Sequence, residues 1–177
     1  MRVMKKSVSI VISAYNERDN IAMLHRELSR VLAAIRGITF EIIFVNDGST
    51  DGTLQEITRL SAVDDRIRTV NLIRNYGHEI AMTAGMDHAA GDCVIFMDAD
   101  LQHPPGYVPR MIEAWRAGAD VVIMKCIGNR DSSLFRRLRN ALFYKFLNML
   151  SSNPVPSHTP DFRLIDRVYI EILKTMD

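Results

Sequence analysis

The chain has 177 residues, 47% of them hydrophobic and 24% charged, the balance of one ordinary globular domain with a real core. A formal net charge of +1 gives no global pull towards nucleic acid, which is excluded as a partner on bulk charge; any basic feature must be local. Cys93 and Cys126 stand far apart, at no metal or redox spacing, and read as small core residues of a reducing compartment. Met1–Lys6 followed by Val8–Ile12 has the outline of a signal peptide, but the apolar run is too short and meets Asn16-Glu17 instead of a cleavage site. No stretch approaches the roughly 18 consecutive apolar residues of a spanning helix.

Residues Val8–Ile12 read as a short buried strand ending at Ser13-Ala14-Tyr15-Asn16-Glu17. Ile21, Leu24, Leu28, Val31, Leu32 and Ile35 then recur at helical spacing, with Gly37 as a stop. Phe40–Val45 is a second strand, followed by Asn46-Asp47-Gly48-Ser49-Thr50-Asp51-Gly52-Thr53. Gly48 suits the positive φ of a sharp turn, and Ser49 or Thr50 can cap the next helix, with Asp51 near its dipole. That helix carries Leu54, Ile57 and Leu60 as its buried stripe.

A third strand, Ile67–Ile73, leaves Arg74-Asn75-Tyr76-Gly77-His78 at its end; the small residues Ala81, Ala84, Gly85 and Ala89 of the following helix allow close packing on a sheet. Cys93–Met97 is a fourth strand. Pro104-Pro105-Gly106 opens a helix bearing Val108, Met111, Ile112 and Trp115, and Val121–Met124 is a fifth strand. This alternation predicts an α/β domain with a mostly parallel sheet, whose ligands bind beyond the carboxyl ends of the strands. Residues 132–150 hold Arg136, Arg137, Arg139 and Lys145 and no acid, against an apolar stripe of Leu134, Phe135, Leu138, Leu142, Phe146 and Met149. Such a helix suits an anionic membrane or a phosphate, and equally a solvated basic face. A polar loop over Ser151–Pro160 leads to Asp161-Phe162-Arg163-Leu164-Ile165, and a final helix from about Asp166 has Val168, Ile172 and Leu173 as apolar positions.

The chemistry concentrates after the fourth strand. In an extended chain Asp98 and Asp100 point the same way, roughly 6–7 Å apart. At an effective dielectric of about 20, two like charges at that separation repel by about 2–3 kcal/mol. A divalent cation holding a polyphosphate relieves this, since hard oxygen ligands suit magnesium or manganese; plain solvation of two loop acids is the competing account. Neither G-x-G-x-x-G after the first strand nor G-x-x-x-x-G-K-[ST] is present, which argues against dinucleotide and P-loop sites, and no G-x-S-x-G elbow is present either. Lys125 ends the fifth strand as in a phospho-accepting receiver, but the third strand ends in Arg74 where that chemistry needs a carboxylate. His78, His88 and His103 have no zinc spacing and read as solvated or hydrogen-bonded.

Taken in order, Ser-Ala-Tyr-Asn-Glu, Val-Asn-Asp-Gly-Ser-Thr-Asp-Gly-Thr, Arg-Asn-Tyr-Gly-His and Asp-Ala-Asp-Leu-Gln resemble the inverting, GT-A-fold family 2 glycosyltransferases. Asp-Ala-Asp-Leu-Gln-His-Pro-Pro and Asp-Phe-Arg-Leu-Ile-Asp-Arg are similar to the polyprenyl-phosphate branch, with its dolichyl-phosphate mannosyltransferases and undecaprenyl-phosphate sugar transferases. The likeness spans about Ser7 to Asp177. It implies a GT-A (Rossmann-like) sheet flanked by helices on both faces, and transfer of a sugar from a nucleoside diphosphate sugar to a polyprenyl phosphate with inversion. The enzyme would depend on Mg2+ or Mn2+ and serve cell envelope glycan synthesis.

The resemblance also implies roles. Glu17 and Asp47 would contact base and ribose with Tyr15 nearby, and Asp98, also a candidate catalytic residue, would lie beside ribose, diphosphate and metal. Asp100 and Gln102 would ligate the metal. Arg74 is a diphosphate contact or a structural one. Arg136, Arg139 and Arg163 are the candidates for the acceptor phosphate, held by bidentate contacts, and Asp161 is orienting or catalytic. Uridine ranks ahead of guanosine as the base, the expected location is the cytoplasmic face of the membrane, and a homo-oligomer is left open. Pro160 departs from the glycine usual before Asp161, fixing φ and removing a donor. The branch usually continues into juxtamembrane and transmembrane helices, so residues 1–177 are expected to be the catalytic domain of a longer protein. A family 2 enzyme with a saccharide or other soluble acceptor, and a non-catalytic nucleotide-sugar-binding scaffold, are the alternatives.

Overall fold

Strands β1 (Lys6–Ala14), β2 (Ile38–Asn46), β3 (Ile67–Asn71), β4 (Cys93–Asp98), β5 (Val121–Ile123) and β6 (Arg163–Asp166) form one six-stranded sheet in the order β3-β2-β1-β4-β6-β5. The computed structural model describes residues 6–124 and 162–175. The strands from β1 to β4 are parallel, while β6 runs antiparallel to both β4 and β5. The helices are α1 (Arg18–Ala33), α2 (Thr53–Ser61), α3 (His78–His88), α4 (Val108–Arg116) and α5 (Arg167–Lys174), with a 3-10 turn over Pro105–Tyr107 before α4. Among the described residues no helix is long and apolar enough to cross a membrane.

Alternation along the buried strands sorts their side chains into two cores. Ile10, Ile12, Ile42, Phe44, Ile95 and Met97 face α1, α2 and α4, whose Leu24, Leu28, Ile57, Met111 and Trp115 fill that side. Val11, Ile43, Val45, Val94 and Phe96 face α3 and α5, which contribute Ala81, Met82 and Ile170. Helices therefore cover both faces, as the GT-A resemblance implies. The small-residue surface of α3 has a steric cause: a Cβ on Gly85 would lie 2.3 Å from Val11 Cγ1 and 2.9 Å from Val45 Cγ2. Cys93 is a buried free thiol, pushed up to about 12 by burial and by nearby Asp166 and Asp92, so it behaves as a small core residue.

Several boundaries differ from the sequence reading. Residue Ile73 is 87% exposed and lies beyond β3, which stops at Asn71. The N-cap of α2 is Gly52, at φ +99° and with no side-chain cap hydrogen bond, and Asp51 before it accepts from the amide and hydroxyl of Thr53, so neither Ser49 nor Thr50 caps the helix. Arg163–Asp166, given no element from sequence, is the strand that joins β5 to β4. In α5 the side chain turned inward is Ile170, while Val168, Ile172 and Leu173 are exposed. Its orientation is set at its first turn, where Asp166 caps the Val168 amide and accepts from Trp115 Nε1, and Arg167 donates to the carbonyls of Ala89 and Gly91.

Candidate functional site

Chain order reverses at β1, with β2 and β3 laid on one side and β4 on the other. A crevice opens beyond the carboxyl ends of strands at such a point. Here it is a cavity of about 230 Å³ lined by Ser13, Tyr15 and Glu17 from the end of β1, Asp98, Ala99 and Asp100 from the end of β4, and His78 from the start of α3. Register puts Ser13 directly beside Asp98. The Ser13 hydroxyl donates to Asp98 Oδ1 at 3.2 Å. Because that proton is committed, His78 Nδ1, 3.0 Å from Ser13 Oγ and 3.3 Å from Asp98 Oδ1, is the donor in its own contacts. Burial raises the Asp98 carboxyl above the ordinary carboxylate range, with Asp100 adding to the rise against the pull of the histidines and Ser13.

The turn that follows is tightly specified. Asp100 Oδ1 accepts from the Gln102 amide at 2.9 Å, and Leu101 sits in the left-handed region at φ 63°. His103 returns to the strand end, its Nδ1 accepting from the Asp98 amide at 3.0 Å. Ala99 donates its amide to the Ser13 carbonyl at 3.2 Å, so β1 and β4 remain joined past the last strand residue.

The other strand ends build the wall behind this cavity. Asp47 is buried and accepts from the amides of Tyr76 (2.8 Å) and Gly77 (2.9 Å), pinning the loop after β3 against that after β2. Gly48 meets both demands of this contact: its φ is +65°, and a Cβ there would lie 2.2 Å from the Arg74 carbonyl carbon. Asn16 laces the first two loops, its amide donating to Ser49 Oγ (3.0 Å) and its Oδ1 accepting from the Thr50 amide (2.9 Å). Glu17 holds the Asn20 side chain at 2.6 Å, and its amide donates to Thr53 Oγ1 at 2.9 Å.

Of the residues singled out from sequence, Tyr15, Glu17, Asp98 and Asp100 share the cavity wall. Asp47 lies behind it with both oxygens on loop amides. Arg74 is exposed with its guanidinium 4.8 Å over the Tyr76 ring, and Gln102 is exposed on the Asp100 turn. Arg163 opens β6 opposite Phe96, its guanidinium 5.5 Å over that ring, with a buried Nε that has no hydrogen-bond partner among the described residues. Asp161, Arg136, Arg139 and Cys126 fall outside the described residues. Ser13, His78 and His103 were missed as site residues. All three stand inside motifs singled out from the sequence, His103 in Asp-Ala-Asp-Leu-Gln-His-Pro-Pro, but nothing in their spacing says that they converge on Asp98.

The donor set fits a hard divalent cation only in part. Asp98 and Asp100 offer carboxylate oxygens at one wall, where burial first and then the neighbouring Asp100 disfavour the charged form of Asp98. Among the described residues no group of three or more His, Cys, Asp or Glu forms a complete cage. That is the pattern of a cation bound by one or two carboxylates and completed by phosphate oxygens and water.

A sequence model described as Glycosyl transferase family 2 matches residues 9–173. An uncharacterised glycosyltransferase of Synechocystis sp. is 40% identical over 96% of this chain and 53% of its own length. The bactoprenol glucosyl transferase of Shigella phage SfX is 36% identical over 96% of this chain and 55% of its own. The chain thus spans about half the length of the curated relatives it matches. Among solved structures, a mannosyltransferase from Pyrobaculum calidifontis in complex with GDP-Man and Mn2+ superposes with a TM-score of 0.65 at 21% identity, covering 97% of this chain and 47% of that one. Glucosyl-3-phosphoglycerate synthase from Mycobacterium tuberculosis, in complex with Mn2+, UDP and glucosyl-3-phosphoglycerate, gives 0.63 at 21% identity over 92% of this chain and 57% of that one. At these identities the likeness is one of fold.

Proposed function

Because this chain belongs to glycosyl transferase family 2, we propose that its β1/β4 cavity holds a nucleoside diphosphate sugar and that the sugar passes, with inversion, to a polyprenyl phosphate. The observation that carries the donor site is the common wall of Asp98, Asp100, Tyr15 and Glu17 at the sheet's switch point. The acceptor class is supported by the name of the phage relative, a bactoprenol glucosyl transferase, at 36% identity over 96% of this chain.

Asp100 and Gln102 would hold Mg2+ or Mn2+, with Asp98 beside it. When bound, the cation neutralises diphosphate charge and stabilises the leaving group. Tyr15 and Glu17 line the approach for the nucleoside, with uridine ranked ahead of guanosine. Asp47 acts at one remove, by holding the Tyr76–Gly77 backbone that closes the wall. Arg74 remains a diphosphate contact by proposal, supported by its exposed guanidinium 4.8 Å over the Tyr76 ring.

The acceptor oxygen would attack the anomeric carbon from the face opposite the diphosphate. A phosphate monoester has a second pKa of about 6 and is largely dianionic near neutrality, so positioning matters more than removal of a proton. Arg163 fits a phosphate-holding role because its buried Nε has no hydrogen-bond partner among the described residues. Arg136 and Arg139 belong to the same proposal, and Asp161 is proposed to orient or catalyse. The reaction would take place at the cytoplasmic face of a membrane, where the lipid phosphate is presented.

The test is transfer of labelled sugar from UDP-glucose, UDP-N-acetylglucosamine and GDP-mannose to undecaprenyl phosphate in mixed micelles, with Mn2+, with Mg2+ and with a chelator. Cation-dependent formation of a lipid-linked product, weakened by Arg163→Lys, is expected. Transfer to a soluble saccharide alone would contradict the lipid acceptor, and donor binding with no transfer to any acceptor would favour a non-catalytic scaffold.

A further inference from the structure

Five residues beyond Asp98, the imidazole of His103 closes back onto the strand end that presents the acid. The Asp98 amide donates to His103 Nδ1 at 3.0 Å. The same nitrogen lies 3.6 Å from Asp98 Oδ2, too long for a hydrogen bond. Nδ1 is therefore an acceptor, and the ring proton sits on Nε2. The ring also stacks on Phe162, with centroids 5.2 Å apart and planes at 14°. Phe162 is buried in the core and directly precedes β6, so the stack ties the β4 turn to a neighbouring strand.

What this clamp encloses is a turn with one strained residue, Leu101, whose side chain packs against the core. Leu101 occupies the left-handed region at φ 63°, which an L-residue with a side chain rarely adopts. The Gln102 amide folds back onto Asp100 Oδ1 at 2.9 Å.

We propose that His103 is a positioning residue: by accepting the Asp98 amide and resting on Phe162, it holds residues 98–102 in the strained turn that presents both carboxylates to one cation. The role rests on the donor-site reading above. It separates two amide side chains by reach. The Oδ1 of an asparagine sits where His103 Nδ1 sits, one bond beyond Cγ, whereas the glutamine oxygen lies one bond further out and misses the Asp98 amide.

The experiment follows Mn2+ uptake by the full chain, read from the electron paramagnetic resonance of free Mn2+ in the presence of UDP or GDP, together with hydrogen exchange of the Asp98 amide. His103→Ala is expected to weaken Mn2+ binding at least about tenfold, the loss typical when a residue supporting a metal ligand is removed, and to speed exchange at Asp98. His103→Asn should restore most of both, and His103→Gln should not, a comparison that holds even if the alanine variant folds poorly. Mn2+ affinity in His103→Ala equal to wild type, or equal weakness of the asparagine and glutamine variants, would overturn the proposal. A wild-type chain that takes up no Mn2+ with either nucleotide contradicts the donor-site reading and this role together, whereas wild-type uptake matched by the alanine variant contradicts this role alone.

Discussion

Glu41 and Asp92 at the amino ends of the parallel sheet and Asp98 at its carboxyl end sit in different surroundings. At the amino ends, Glu41 on β2 accepts from the Ser9 hydroxyl at 2.5 Å and the Ala90 amide at 2.6 Å, with Arg68 at 3.3 Å. Asp92 likewise accepts from the amide and hydroxyl of Ser7. Burial alone would raise Glu41, yet Ser9, Ala90 and Arg68 together hold it below the ordinary range. At the carboxyl end, burial raises Asp98 and the neighbouring Asp100 adds to the rise, outweighing the pull of His78, His103 and Ser13. The difference is one of balance. An acid whose internal donors outweigh burial is a structural pin, and an acid whose donors do not is where a cation adds stabilisation.

Breaking each end separately should give opposite phenotypes. The largest effect is expected for Asp100→Ala, which should lower sugar transfer at least about a hundredfold, in the range seen when charge stabilisation at a reacting group is lost. Its urea unfolding midpoint should stay at the wild-type value. Glu41→Ala should do the reverse: lose about 1–3 kcal/mol of stability, since it strands buried donors, and bind nucleotide as the wild type does. Parallel unfolding and binding curves on both variants check the pair.

The smallest effect sharpens the same contrast through pH. Because Glu41 is depressed in the folded state, its contribution is present above its unfolded pKa of about 4.3 and fades as pH falls through the lower folded value. Acid unfolding of Glu41→Gln should therefore be less steep below about pH 4 than that of the wild type. Identical acid profiles would deny Glu41 its structural role.

How far the sequence carried the reading follows from these same places. Strands β1, β2 and β4 were legible because each is a buried apolar run ending in polar residues, β3 is a mostly exposed edge strand that was read two residues too long, and Gly48 was legible because its turn needs a positive φ. Close packing of α3 was signalled by Ala81, Ala84 and Gly85. The strand β6 was not, since Arg163-Leu164-Ile165-Asp166 holds only two apolar residues between charged ones, and its partners Cys93–Phe96 and Val121–Ile123 lie far away in the chain. The surroundings of Asp98 were hidden for a related reason. Ser13 and His78 reach it only through the β1–β4 register and the landing of α3, which no spacing encodes. Asp47 was visible as an acid in a turn, but the pattern says nothing of which amides its oxygens accept. The Asp-Phe-Arg-Leu-Ile-Asp-Arg motif divides similarly: Asp166 and Arg167 spend their side chains on Trp115 and on backbone carbonyl and amide groups, work that is structural.

The central claim is that the carboxyl-end acids complete a cation site only together with a nucleoside diphosphate. Isothermal calorimetry of UDP and GDP binding to the wild-type chain, with Mn2+ and with a chelator, tests it most directly. Binding of one nucleotide that tightens at least about tenfold with Mn2+, as expected when phosphate oxygens complete the cation's ligands, is the result the account predicts. Equal affinity in the presence of the chelator would contradict it.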